Sequence, residues 1–230
     1  MHDSVQLYNE IKHHRKSIVA PVDLMGCSVT PRCTSYEQKA LYVLIALLLS
    51  SQTRDGITWN AMQRLCQSLP EGTQNNCSEY NGLTLENILI TSTRHINDCI
   101  KKVGFHNKKA LYIKKIAQIL SKTGLPSTLD DLLILPGIGV KMGVLYMAHV
   151  HNKTVGISVD THVHRISNRI GLVNTKRSVD TQARLQEIIP TDEWIALNTA
   201  MVGFGQTICL PRNPDCSKCI IASKCPSSLF

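Results

Sequence analysis

A chain of 230 residues, 43% of them apolar, has material for one large core or two smaller ones. Its net charge of +8 and pI of about 9.1 call for a polyanionic partner, either nucleic acid or an acidic membrane surface. No apolar run approaches the ~20 residues of a membrane span, so a spanning protein is not expected.

In chain order, the first ten residues carry Asp3 and Glu10 and lack the apolar core of a signal peptide. A reducing, intracellular setting is therefore expected, with the nine cysteines as thiols rather than a disulfide framework. Ser35-Tyr-Glu-Gln38 has the form of a capping box before an apolar helix that contains Leu41–Leu49 and ends near Ser51. Amphipathic segments follow at about 55–68, 84–102, 107–122, 127–134 and 139–150. Gly104 and Gly124 stand where helix C-caps belong, with Pro126 beyond the second. Ser127 is placed to cap the next helix, with Asp130 and Asp131 in its first turn. Further helices are predicted near 160–170, 178–189 and 192–207, and no stretch alternates convincingly with period two. The fold class is all-α.

Three segments carry chemistry. Residues 94–122 hold a net charge of +7, with Lys108, Lys109, Lys114 and Lys115 on one predicted helix. Solvated surface accounts for any single lysine, but this density favours phosphate contact. Next comes the turn Leu135-Pro-Gly-Ile-Gly-Val-Lys141. Gly137 and Gly139 can take positive φ without strain and leave bare amides at the start of a helix, a ready phosphate cradle. Lys141 falls on the first turn of that helix, and Asp160 follows 19 residues later at another helix start, where capping is its simplest role. Last, Cys209, Cys216, Cys219 and Cys225 are spaced C-x6-C-x2-C-x5-C. Four thiolates so close in sequence can ligate zinc or a [4Fe–4S] cluster, and spacing alone does not choose between them. Cys27, Cys33, Cys66, Cys77 and Cys99 show no ligand spacing and read as ordinary thiols.

Leu135–Met142, followed by Val159-Asp-Thr-His162, closely resembles the helix-hairpin-helix of the endonuclease III family of DNA glycosylases. The cysteine spacing behind such a hairpin resembles that family's iron–sulfur signature. Leu48-Leu-Ser-Ser-Gln-Thr-Arg-Asp55 is similar to its segment at the mouth of the barrel, and Gly104-Phe-His-Asn-Lys-Lys-Ala110 to its duplex-wedging loop. Ala20-Pro-Val-Asp23 and Met201-Val-Gly-Phe-Gly-Gln206 look like the eukaryotic branch, so the similarity runs from about residue 20 to 226.

The resemblance implies two helical domains flanking a DNA-binding cleft. Residues 36–153 would form a six-helix barrel ending in the hairpin, and residues 1–35 with 154–230 an iron–sulfur domain. It implies a bifunctional DNA glycosylase and AP lyase that removes oxidised pyrimidines from damaged double-stranded DNA, acting as a monomer. Lys141 would be the nucleophile, facing its partner Asp160 across the cleft, and the four C-terminal cysteines would hold a [4Fe–4S] cluster. Extruding a nucleotide leaves a void in the stack, for which Gln52 and Phe105 are the candidates, the amide for the orphaned base and the ring as wedge. Gly137, Gly139, Lys108 and Arg212 would meet phosphates, while Asp55 either reads the extruded base or caps its helix. A monofunctional glycosylase of the same superfamily would lack the lysine, and a non-catalytic helix-hairpin-helix DNA-binding protein would not need Asp160. A nuclear location is expected, with a mitochondrial pool also open.

Overall fold

The structure, a computed structural model, describes residues 2–30, 35–70 and 82–229. Cys33 and Cys77 lie outside them. Twelve α-helices occur among the described residues, with no strand. They are α1 His2–His14, α2 Pro21–Met25, α3 Tyr36–Ser50, α4 Asp55–Ser68, α5 Leu85–Ile90 and α6 Thr93–Cys99, then α7 His106–Thr123, α8 Leu129–Leu133, α9 Val140–His151, α10 Thr161–Arg169, α11 Ser178–Ile188 and α12 Trp194–Thr207. No helix among the described residues is long and apolar enough to cross a membrane.

The chain divides into a central unit, Met25–Lys153, and a terminal unit made of Met1–Leu24 with Thr154–Phe230. The segment from Met25 thus groups with the central unit, where Cys27 packs against the core. That unit is built around α3, in which every residue from Ala40 to Leu49 is buried. A helix apolar on all sides has no solvent face, so neighbours must surround it; α4, α7 and α9 all pack against it. Its N-terminus is set by Ser35, whose Oγ accepts the Gln38 N–H at 3.2 Å. Each buried Leu or Ile of α3 contributes roughly 1.5–3 kcal/mol.

The terminal unit has its own core, in which α12 packs on α1 and α10. The helix α1 has no counterpart in the sequence reading, because only Leu7, Tyr8 and Ile11 form its buried stripe among histidines and lysine. The segments Ala20–Asp23 and Met201–Gln206 meet here. Arg15, 7% exposed, donates to both Asp23 carboxylate oxygens at 2.7 and 2.6 Å and to the Ile18 carbonyl. A Cβ on Gly203 would overlap the Arg15 guanidinium, and the Gln206 side-chain oxygen accepts the Val22 N–H at 3.0 Å. Burial pushes the Asp23 carboxyl up, but the Arg15 bonds, the Ala20 N–H and the Arg15 charge outweigh it and hold the group below the usual carboxylate range.

Three local expectations change. The predicted helix 84–102 is two helices, α5 and α6, because the Ser92 hydroxyl accepts the His95 N–H at 3.2 Å and starts a new one. The N-cap of α8 is Thr128 rather than Ser127, in a capping box closed by Asp131. Gly104 is no C-cap, since α6 ends at Cys99 with Ile100 as its cap.

Candidate functional site

The hairpin is α8, the turn 134–139 and α9. Leu135 and Ile138 are buried beneath the turn and fix it to the central core. Gly137 takes φ +84°, and a Cβ there would also stand 2.5 Å from the Tyr112 ring and 2.9 Å from Leu48. Gly139 departs from expectation. It is the N-cap of α9 with an extended backbone, φ −111°, and nothing lies within 4 Å of where its Cβ would stand. Turn geometry therefore does not require glycine at this position, and the space over it is open. Amides in the first turn of α9 have no intrahelical acceptor, and the helix dipole adds positive potential there. Lys141, exposed, is the second residue of α9. Cys27, which spacing had marked as an ordinary thiol, stands within electrostatic reach of both Lys141 and Asp55; burial above all pushes its thiol up, to about 11. Asp55 is the first residue of α4, with Arg54 as its N-cap, so it does not cap that helix by position.

Gln52 and Phe105 come together. Both are exposed, Phe105 to 64%, so its ring is not a core aromatic. Both are left-handed, with φ 52° and 58°, a conformation costing a non-glycine residue about 1–2 kcal/mol. A Cβ on Gly104 would meet the Gln52 carbonyl oxygen at 2.7 Å, so only glycine lets the two turns approach, and the Gly104 N–H donates to Thr53 Oγ1 at 3.1 Å.

The basic run divides into two kinds of lysine. Lys109, 4% exposed, donates to the Leu49 carbonyl at 2.9 Å and the Ser51 carbonyl at 2.6 Å, and burial pushes its ammonium down to about 8. Lys114 donates to the carbonyls of Ile88, Leu89 and Thr91 at the end of α5, at 3.0, 2.7 and 2.7 Å. The expected phosphate contacts therefore do not hold for these two, which neutralise helix C-termini instead. Lys108 and Lys115 are exposed. Lys108 Nζ stands 5.7 Å from the centroid of Tyr112, the ring under Gly137. Lys115 and Lys122 line an open groove with Pro136 of the hairpin turn.

In the terminal unit Asp160 caps α10, its Oδ1 accepting the His162 and Val163 N–H groups, each at 2.8 Å. One turn and two turns along α10 come Arg165 and Arg169, which sequence reading missed. Arg165 Nη2 donates to the Cys209 carbonyl at 2.8 Å and the Gly205 carbonyl at 3.2 Å. Arg169 donates to the carbonyls of Leu210 and Pro211 at 2.6 and 2.9 Å and to Cys209 Sγ at 3.4 Å. The signal available was their i, i+4 spacing behind Asp160, which points both arginines along one helix face. Arg212, exposed, follows in the loop that they hold. Cys209, Cys216, Cys219 and Cys225 line one small cavity with Phe204 and Arg169. Burial pushes the Cys219 and Cys225 thiols up, and the neighbouring cysteines push the same way. Among the described residues no set of three or more His, Cys, Asp or Glu side chains is drawn into a metal-binding cluster.

The family model described as HhH-GPD superfamily base excision DNA repair protein matches residues 45–191. An endonuclease III homolog of Encephalitozoon cuniculi is 55% identical, over 97% of this chain and 94% of its own length. One of Schizosaccharomyces pombe is 43% identical over 97% of the chain, which spans 61% of that relative. Among solved structures, a trapped endonuclease III–DNA covalent intermediate, an estranged-adenine complex, is similar with a TM-score of 0.75, covering 96% of both chains at 23% identity. At that identity the likeness speaks for the fold.

Proposed function

Because the chain belongs to the HhH-GPD superfamily of base excision DNA repair proteins, we propose that it is a bifunctional DNA glycosylase and AP lyase that excises oxidised pyrimidines from duplex DNA and nicks the strand. The observation that carries this reading is the hairpin itself, with open Gly139 and the exposed Lys141 amine on the first turn of α9. Backbone amides hold a phosphate there without using up the lysine. The deprotonated Lys141 amine attacks C1′ of the sugar, the C1′–N bond breaks, and the base leaves with the bonding electron pair and takes up a proton. The lysine nitrogen then gives up a proton and its lone pair opens the sugar ring, the C1′–O4′ bond breaking and O4′ taking up a proton; the imine so formed acidifies C2′. Loss of a C2′ proton expels the 3′ phosphate by β-elimination, which nicks the strand. Asp160 is proposed to stabilise the cationic sugar and to accept a proton as attack proceeds.

In the same reading the central unit is the six-helix barrel and the terminal unit the iron–sulfur domain. Cys209, Cys216, Cys219 and Cys225 fit a [4Fe–4S] cluster in donor type and location, since all four line one cavity and Arg169 offsets part of their negative charge. Thiols raised by burial and by each other ionise readily only beside a compensating cation. The cluster would close the loop that presents Arg212, and what it would supply there is a structural link between the four thiolates.

Borohydride trapping tests the assignment, because only a Schiff-base lyase becomes covalently linked to abasic DNA on reduction. The native chain crosslinks, and Lys141→Gln does not while keeping duplex affinity. A folded Lys141→Gln protein that still traps and nicks overturns the assignment. Asp160→Asn still caps α10 and slows base release by a factor of ~10²; near-normal single-turnover rates reduce Asp160 to a cap.

A further inference from the structure

Lys109 is bonded to both turns at once. Its backbone N–H donates to the Phe105 carbonyl at 3.0 Å, the first hydrogen bond of α7. Its side chain crosses to α3 and donates to the carbonyls of Leu49 and Ser51, with Thr53 Oγ1 at 3.5 Å. Those oxygens lie on either side of Gln52. Thr53 Oγ1 also takes the Gly104 N–H, so a closed ring of contacts runs from Phe105 through Lys109 and Thr53 to Gly104. Two exposed side chains in strained backbone thus project from turns that share one buried cation. Strain of this kind persists only where the surroundings over-determine it.

We propose that Lys109 is a positioning residue that locks Gln52 and Phe105 into one rigid pair, so that amide and ring enter the base stack together. The inference rests on the proposed reading of those two side chains as the void-filling groups. Its physical basis is the end of α3, whose last carbonyls have no intrahelical partner. A cation supplied by α7 satisfies them, and it does so from the helix that carries Phe105. An apolar side chain at 109 would leave buried carbonyls unpaired and cut the link between the turns. A surface lysine would cap neither. A rigid pair loses less entropy on insertion than two independent loops, so coupling favours extrusion without any new contact to DNA.

The test uses the full chain and the variants Lys109→Met, Gln52→Ala and Phe105→Ala, singly and combined. Single-turnover nicking is measured on abasic duplex and on abasic single strands, and 2-aminopurine opposite the abasic site reports unstacking. With the lock in place, Gln52→Ala and Phe105→Ala are non-additive on duplex, the double variant losing no more than about threefold beyond the worse single. In the Lys109→Met chain the two losses multiply. Lys109→Met alone lowers duplex nicking about tenfold more than single-strand nicking and weakens the 2-aminopurine signal, since a single strand leaves no stacked void to fill. Equal loss on both substrates, in step with the folded fraction, makes Lys109 a stabilising cap only and overturns the proposal. So do multiplicative losses in the native chain. If Gln52→Ala and Phe105→Ala are each silent on duplex, the void-filling reading fails first and the lock falls with it. Should Lys109→Met not fold, Thr53→Val removes the hydroxyl that joins the two turns and carries the same cycle.

Discussion

The paired turns at Gln52 and Phe105 and the cysteine loop after α12 are both irregular, exposed and rich in backbone carbonyls, yet they are held in opposite ways. The paired turns rest on the central core, and a buried ammonium reaches out from beneath them. The cysteine loop has little apolar material of its own, with Ile208 and Ile221 as its buried residues, and arginines from α10 clamp it from one side. A turn backed by a packed core needs one well-placed cation. A loop without such backing needs several guanidinium bonds and, on the proposed reading, a ligand.

The sharpest way to break that contrast is to remove a thiol. Cys219→Ser is expected to give colourless protein whose last ~20 residues unravel, because ligand binding there is folding energy. Iron content and protease sensitivity of residues 209–229 report it, and a metal-free variant with an intact, protected loop would show that the arginines suffice. The native protein should carry about four irons; stoichiometric zinc from iron-replete, reducing preparation would replace the cluster with a zinc site.

The buried lysine has a pH signature of its own. Its folded value, about 8, lies below the ordinary lysine value of 10.5, so between those values the unfolded chain binds more protons and stability rises with pH. The stability of the native chain relative to Lys109→Met therefore climbs from pH 8 to 10 by up to about 3 kcal/mol, as read from urea transitions. A difference that stays flat or falls over that window would mean that the surrounding carbonyls keep Lys109 charged throughout.

Arg169→Ala removes three hydrogen bonds from the cysteine loop and should cost about 2 kcal/mol. The effect belongs in the terminal unit, with faster proteolysis at 209–216 and unchanged protection of α3. Protection lost equally in both units would contradict the local clamp. The smallest effect is at Lys108, which is exposed. Lys108→Ala should weaken damaged and undamaged duplex alike and flatten the log-affinity versus log-salt slope by about one. An unchanged slope would remove Lys108 from the phosphate contacts.

Much was legible from local pattern. The apolar run Leu41–Leu49 demanded a buried helix, Ser35 marked its start, and Gly137 announced the positive φ of the hairpin turn. Asp160 read as a helix cap is one. Each depends on residues within a few positions of one another, which is the range over which propensity, capping and turn chemistry act. The run of lysines was misleading for the complementary reason. Lys108 and Lys109 are neighbours in sequence, but α7 turns one to solvent and the other to the carbonyls that end α3, 58 positions away in the chain. Gly104 likewise looked like a helix stop and is instead the place where another backbone comes close. Residue pattern by itself determined the all-α class and the glycine turn that opens α9. Which cations meet solvent and which satisfy buried carbonyls was decided only by packing, because a carbonyl acceptor is present at every residue and nothing in a side chain's identity says which helix end it will reach.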